Sequence, residues 1–374
     1  MHRENSLMAY LYMMFSGVAL TSQFGVFVFW LAIPFVILCH FFTCNRIIYA
    51  KFLFLTMFGL CAIVIAGLSG YFGDEYNSRV VSNVYLSVTS LLMAFVFYNT
   101  NACNKEVFLR AIKLVLVINL VAFYLQFISF YIFHYIIDYN LLSGGLGGRY
   151  FWGQLFRASG LFDEPAVYSL HMVALLVMLY MQERKFSFLI SVTLASLFLS
   201  FSFMAIFQAI LLSSLFIRNK KNLVIPVIFC SIVVFLFKDN IYERYIQFVN
   251  GSDGSNNTKL DTLSNLFDGV KWLYGYGLVG YNQSFPLYYQ GLYDLTYWGA
   301  NLTLYGIVVG GGVNVISLIV LSKFTFKDFL LINIVLLKLS VPTYGVYWCF
   351  VFFIIWYKWN VGVIHGKNIS SDGH

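Results

Sequence analysis

Charged side chains suited to chemistry cluster in one stretch of this chain. Two arginines, Arg149 and Arg157, precede two adjacent acids, Asp163 and Glu164. Arginine binds phosphate through paired, charge-assisted hydrogen bonds, and a carboxylate can accept a proton from an attacking hydroxyl group. The stretch therefore suits a site that binds a phosphorylated donor, with a carboxylate as general base.

A helix is expected directly after these residues. Pro165 is favoured in the first turn of a helix, and Asp163 is expected to cap that helix at its positive end. Glu164, Tyr168 and His171 then share one helix face. This face predicts either the polar wall of a site, with His171 catalytic and Tyr168 binding substrate, or an interfacial tyrosine above a hydrogen-bonded histidine.

A second group of candidate binding residues comes later: Arg244, Lys259, Gly275, Tyr276, Gly277 and Tyr281. Its glycines, with Gly280, spell GxGxxG, but a dinucleotide site would need a buried strand before them. Tight glycine turns among tyrosines suit a sugar-stacking surface or a packed loop equally well. The polar stretch 251–259 is predicted to be a flexible loop, and the spacing from Leu260 to Val270 predicts a short amphipathic helix on the membrane surface.

The elements that position these residues are membrane helices. The composition is 60% hydrophobic and 10% charged, against about 25% charged in soluble domains. This excludes a soluble protein and predicts an all-α polytopic integral membrane protein with about 12 transmembrane helices. The predicted spans are Ser6–Thr21, Gly25–Phe42, Phe52–Tyr71, Val81–Tyr98, Ile112–His134, Ala166–Met181, Phe188–Ser202, Met204–Ile217, Leu223–Phe237, Trp298–Leu321, Phe329–Val341 and Gly345–Trp359.

The basic residues predict the orientation of these spans. With both termini cytoplasmic, 15 of the 23 lysines and arginines lie inside, 7 lie outside, and Lys338 falls within a span. The same rule requires a tight turn near Ser202 and a second break at 340–345. Because positive-inside bias explains the formal charge of +7, no nucleic-acid partner is expected.

Two long segments, 135–165 and 238–297, then lie outside as loop regions of a single membrane domain spanning 1–374. Loops on a rigid scaffold carry most functional groups. The six cysteines lack the close spacing of a zinc or redox site, so neither a disulfide framework nor a cysteine metal site is expected. No cofactor is expected. No cleavable signal peptide is expected either. Chemistry on the outer face lacks ATP and nucleotide sugars, so an activated donor must arrive attached to a lipid.

These features resemble a known family. The R-x-x-G-x-x-x-E-P stretch from Arg157 to Pro165 at the start of a helix, followed by a second outer loop closing in Gly275-Tyr276-Gly277, is similar to the Wzy O-antigen and capsule polymerases. The resemblance implies a metal-independent, GT-C-type glycosyltransferase of the bacterial inner membrane with a periplasmic active site. Arg157 matches the family arginine near the leaving pyrophosphate, Glu164 its acidic partner, and Lys259 stands where the family commonly has an arginine.

The resemblance also implies the partners, which are oligosaccharides carried on undecaprenyl pyrophosphate, the lipid bilayer and a chain-length regulator protein. Two alternatives remain open. An O-antigen ligase of the same superfamily carries a late outer-loop histidine, and none occurs between Lys238 and Tyr297. A flippase or transporter for lipid-linked sugar fits twelve spans, but such proteins usually keep charged residues in central spans.

Overall fold

A computed structural model describes most of the chain, namely residues 2–18, 49–72, 79–99, 104–142, 148–152, 155–216, 235, 238, 242, 246–247, 249–251, 254–279 and 291–369. The second predicted span and nearly all of the ninth lie outside these residues, as do Arg244 and Tyr281. The elements are α1 His2–Gly17, α2 Ala50–Phe72, α3 Val80–Asn99, α4 Lys105–Phe133, α5 Tyr139–Leu142, β1 Phe151–Trp152, β2 Leu155–Phe156, α6 Pro165–Glu183, α7 Phe188–Leu199, α8 Phe203–Phe216, α9 Gly254–Leu266, α10 Lys271–Tyr274, α11 Tyr297–Leu321, α12 Phe326–Leu336 and α13 Gly345–Ile369.

The protein is a helical membrane protein, as the composition predicted. Among the described residues, five helices are long and apolar enough, by length and composition, to cross a bilayer: α2, α3, α4, α6 and α11, of which α11 is divided by a break. The apolar helices α7 and α8, and the part of α13 from Gly345 to Lys358, are shorter. The bounds of α2, α3 and α6 lie within two residues of the predicted spans, because an uninterrupted apolar run leaves little choice of where a span begins and ends.

Helices α7 and α8 form the tight hairpin that the basic flanks required. The break covers 200–202, where Phe201 adopts a left-handed φ of 50°, and the two helices pack against each other. With 12 residues, α7 is about 18 Å long at 1.5 Å per residue. It is therefore shorter than the hydrocarbon core of about 30 Å.

Helix α11 is divided at Gly306, whose φ of 71° and ψ of 179° are not helical. The arms, residues 297–305 and 307–321, run antiparallel: the hydroxyl oxygens of Tyr297 and Ser317 lie 2.8 Å apart. A straight helix would separate these residues by about 30 Å. The sequence predicted one continuous span here, and the structure instead has a helical hairpin.

The segments around α9 and α12 also differ from expectation. Helix α9 begins at Gly254, within the stretch predicted as a loop, and the Asn257 amide donates to the Gly251 carbonyl at 2.6 Å at its start. Helix α12 ends at Leu336, so Lys338 lies in the non-helical segment 337–344 rather than inside a span.

Helix α6 lies at the centre of the bundle. Within its apolar window, 94% of the residues are buried inside the protein, where they pack against α4, α7, α8, α12 and α13. At its C-terminal end the Arg184 guanidinium lies 2.7 Å from each carboxylate oxygen of buried Asp328. This pair ties α6 to α12, so the opposite end of α6 projects from a fixed scaffold.

Candidate functional site

The start of α6 organises the first group of candidate residues. Pro165 is the first helical residue, and Glu164 occupies the N-cap position in an extended conformation without a side-chain cap hydrogen bond. The expectation that Asp163 caps the helix was wrong, because the residue before a proline is held in extended backbone and so becomes the N-cap itself. The Glu164 carboxylate is thereby left for other partners.

The β1–β2 hairpin brings both arginines to this carboxylate. The Arg149 amide donates to the Asp163 carbonyl and the Arg157 amide to the Tyr150 carbonyl, each at 2.7 Å. The Arg149 guanidinium lies 4.0 Å from the Glu164 carboxylate, and the Arg157 guanidinium donates to the Arg149 carbonyl at 3.5 Å. All four first-loop residues expected from the sequence therefore meet at one end of α6.

A buried glutamine holds this loop against α4. The Gln126 side-chain oxygen accepts from the amides of Ser159 and Gly160 at 2.8 and 2.9 Å, and its amide donates to the Ile137 carbonyl at 2.8 Å. Gly160 has a φ of 58°, and a Cβ there would lie 3.1 Å from the Phe123 backbone nitrogen. The glycine of the R-x-x-G stretch is thus needed for a close approach to α4.

Burial and the neighbouring charges have opposing effects on the pKa of Glu164. Burial raises the pKa of this carboxyl group, and neighbouring Asp163 raises it further, whereas Arg149, Lys338 and Arg157 lower it. The side chain is 34% exposed. A carboxylate with a raised pKa can accept a proton, and the three cations around it can bind an anion at the same place.

A second charged cluster reaches this site from the second predicted loop segment, 238–297. Asp294 pairs with Lys259 of α9 at 2.8 Å through one carboxylate oxygen and with Lys338 through the other. Lys338 also interacts electrostatically with Glu164. The structure thus brings Lys259 near the first-loop residues and adds Lys338 and Asp294.

Tyr168 and His171, which the sequence placed on one helix face with Glu164, are packed inside the bundle. Tyr168 is fully buried, stacks on Phe123 and donates to the Ser196 hydroxyl at 2.6 Å. Buried His171 has its Nδ1 atom 2.9 Å from the Val167 carbonyl. Its Nε2 atom has no hydrogen-bond partner among the described residues. Tyr168 is therefore buried rather than interfacial, and the Nδ1 contact of His171 agrees with the hydrogen-bonded alternative, while a catalytic role for His171 and a substrate-binding role for Tyr168 stay predictions.

The glycine turn at 275–277 is packed between helices. The amides of Tyr276 and Gly277 donate to the Thr303 and Leu304 carbonyls at 2.8 and 3.1 Å, at the end of the first arm of α11. A Cβ on Gly277 would lie 2.3 Å from the Gly70 nitrogen. Of the two interpretations of this turn, the structure favours the packed loop.

Tyr276 is buried in the same turn, and its hydroxyl donates to the Thr262 carbonyl at 3.1 Å. The turn supplies donors for carbonyls that the break at Gly306 leaves without helical partners. A role in substrate binding for Gly275, Tyr276 and Gly277 stays a prediction.

Sequence reasoning missed Gln126 and Asp294. Gln126 lies inside an apolar run, and a lone polar residue in a membrane helix signals a buried partner. Asp294 gives no local signal, but Lys338 in an otherwise apolar block requires a counter-ion, and Asp294 is an acid next to an apolar block. Within the described ranges, no three His, Cys, Asp or Glu side chains are grouped to hold a metal ion.

Comparison with known proteins adds nothing to this geometry, since no protein-family model, curated protein or solved structure matches the chain.

Proposed function

We propose that this protein is a GT-C-type glycosyltransferase of about twelve spans that polymerises oligosaccharide repeat units carried on undecaprenyl pyrophosphate. One observation carries the proposal: the Glu164 carboxylate, with a raised pKa, lies among Arg149, Arg157 and Lys338 at one end of the central helix. A general base next to several phosphate-binding cations is what transfer from a lipid pyrophosphate requires.

In the proposed reaction, two lipid-linked units meet at this site. A hydroxyl oxygen at the non-reducing end of one unit attacks the anomeric carbon of the other, and its proton passes to the Glu164 carboxylate. The bond between the anomeric carbon and the pyrophosphate oxygen breaks as the new glycosidic bond forms. Undecaprenyl pyrophosphate leaves with the bonding electrons, and Arg157 and Arg149 stabilise the developing negative charge.

The resemblance of the Arg157–Pro165 stretch to the O-antigen and capsule polymerases supports this proposal over its alternatives. It implies an inner-membrane location, a periplasmic active site and a chain-length regulator as partner, while the distribution of basic residues predicts cytoplasmic termini. The ligase alternative lacks its outer-loop histidine between Lys238 and Tyr297. The transporter alternative is weaker because the charged groups gather at helix ends and breaks.

The decisive experiment supplies purified full-length protein with one lipid-linked repeat unit and measures the masses of the products. Polymerase activity yields lipid-linked dimers and longer chains together with free undecaprenyl pyrophosphate. If the protein in liposomes instead moves the lipid-linked unit across the bilayer and makes no dimer, the transporter replaces the polymerase. Transfer only to an added lipid A core acceptor would identify a ligase.

A further inference from the structure

Two lysines from distant parts of the chain share one carboxylate. Asp294 follows the short helical turn at 291–293, and its backbone amide donates to the Gly291 carbonyl at 3.1 Å. Its side chain is 38% exposed and pairs with Lys259 and Lys338 through separate oxygens. The three side chains together carry a net charge of +1, so the Asp294 carboxylate does not fully compensate the charge of the two lysines.

Lys338 is the buried member of this cluster, with a side chain only 12% exposed. It lies just after α12 ends, where Ser340 donates to the Tyr293 carbonyl at 3.2 Å. A mostly buried ammonium group is costly unless it is paired. Among the described residues, Lys338 shares the Asp294 carboxylate with Lys259 and is attracted electrostatically to Glu164, so a more highly charged anion would be favoured here.

We infer that Lys338 and Lys259 form a subsite that binds the diphosphate of a lipid. Without this ligand the Asp294 carboxylate pairs with both lysines, and the lipid diphosphate displaces the carboxylate when it binds. A diphosphate carries more charge than a carboxylate and has enough oxygens to reach both ammonium groups. Lysine binds phosphate as a point charge, so neither lysine needs to change rotamer far when the anion is exchanged. The inference rests on the proposed function for its ligand class.

A lipid diphosphate suits the subsite better than a free one, because residues that flank the segment carrying Lys338 line an apolar cavity. The cavity has a volume of about 120 Å³ and lies between α2, α11 and α13. Leu336 and Tyr347, which flank the 337–344 segment, are among its lining residues, and Val351 and Ile355 continue the lining along α13. A hydrocarbon chain attached to a diphosphate at Lys338 would therefore have apolar surface nearby to contact.

The proposed reaction uses two lipid-linked substrates at once, which requires two anion subsites. Arg149 and Arg157 provide one, and the two lysines provide the other. Because Lys338 interacts with both Asp294 and Glu164, a diphosphate that replaces Asp294 also brings negative charge near the general base. Such charge raises the proton affinity of the Glu164 carboxylate and so assists proton acceptance.

Binding of farnesyl diphosphate to the purified full-length protein in detergent tests this subsite. Lys338→Gln should weaken binding at least tenfold, and Asp294→Asn should strengthen it several-fold, because the competing carboxylate is gone. Lys271→Gln is the matched control: its ammonium group lies over the Tyr276 ring, 5.4 Å from the centroid, and binding should not change. Inorganic pyrophosphate and farnesol are measured in parallel and should each bind more weakly.

If folded Asp294→Asn binds farnesyl diphosphate with unchanged or lower affinity, the proposal that the diphosphate displaces the Asp294 carboxylate is overturned, since a merely structural ion pair predicts that result. If this variant does not fold, Lys338→Gln decides alone: affinity within twofold of the unsubstituted protein refutes the subsite. Equal affinity for inorganic pyrophosphate would overturn the lipid assignment. Binding is measured without turnover, so the two claims can fail separately. If the affinities are as expected but the protein makes no polymer, only the proposed function is refuted. If a Lys338→Gln protein makes polymer and binds farnesyl diphosphate with unchanged affinity, only the subsite is refuted.

Discussion

The Arg149 guanidinium lies 4.0 Å from the Glu164 carboxylate, across the end of α6. The arginine side chain is 83% exposed and the glutamate 34%. An exposed pair at this separation adds little to folding stability. Its effect is instead on the charge state of Glu164, whose pKa the arginine lowers against the effect of burial.

Replacing Glu164 by glutamine should abolish chain extension while the protein still inserts. General bases typically contribute at least about 100-fold to a rate, so polysaccharide ladders on a gel should collapse to single units. Glu183→Gln is the control at the other end of α6, where Glu183 pairs with Lys113 at 2.6 Å. Full-length ladders from the Glu164→Gln strain would refute the assignment of the base.

The acid limb of the pH–rate profile should lie above that of an unperturbed glutamate, which has a pKa of about 4.3, because burial raises the pKa of Glu164. Arg149→Gln removes a cation that lowers this pKa, so the acid limb should move to still higher pH. Rates measured between pH 4 and 8 with purified enzyme test this. A limb that does not move would mean that another group is titrating.

The same shift has a consequence for stability. A raised pKa in the fold means that protonated Glu164 stabilises the protein at low pH, and that this contribution is lost as the pH rises through the folded pKa. At neutral pH the ionised carboxylate therefore costs stability. Glu164→Gln should unfold at a higher temperature than the unsubstituted protein at pH 7, with the difference shrinking towards pH 4. A lower unfolding temperature at pH 7 would contradict this.

Gly306→Ala should prevent correct folding of the α11 hairpin. A Cβ there would lie 2.3 Å from the Leu273 carbonyl oxygen, and the φ of 71° with ψ of 179° strains any residue but glycine by about 1–3 kcal/mol. Gly312→Ala is the control in the same helix, because a Cβ at Gly312 meets nothing within 4 Å and alanine favours helix. Thermal unfolding in detergent should separate them, and equal unfolding temperatures would refute the turn at Gly306.

Asp328→Asn should lower stability without changing the chemistry. It removes a buried carboxylate that lies 2.7 Å from the Arg184 guanidinium, and the loss should be about 2 kcal/mol, since the arginine is partly exposed and screened. The activity of the folded fraction should be unchanged. Glu106→Gln removes an exposed pair with Arg110 and should have little effect. A specific activity that falls with Asp328→Asn would show that this end of α6 also serves catalysis.

The parts of the fold that follow from local sequence were predictable. Apolar runs located α2, α3 and α6, and basic flanks predicted the α7–α8 turn. The hairpin at Gly306 was not predictable, because its cause is remote: donors from Tyr276 and Gly277 meet carbonyls of residues 303 and 304. Similarly, the first-loop site lies within one sequence stretch, whereas Lys338 joins it only through the packing of α12 against α6.

The hydrogen bonds from the 275–277 turn to the end of the short arm of α11 affect the order in which the protein inserts into the membrane and folds. Residues 297–305 form about two and a half turns, too few to cross a bilayer alone. Their terminal carbonyls are satisfied by Tyr276 and Gly277, and the next residue of that turn, Leu278, donates to the Ala66 carbonyl of α2. Because an unsatisfied carbonyl is costly in lipid, the arm should enter its place only after α2 and the turn have met. Its insertion is therefore a late step that depends on tertiary folding rather than on the hydrophobicity of the segment.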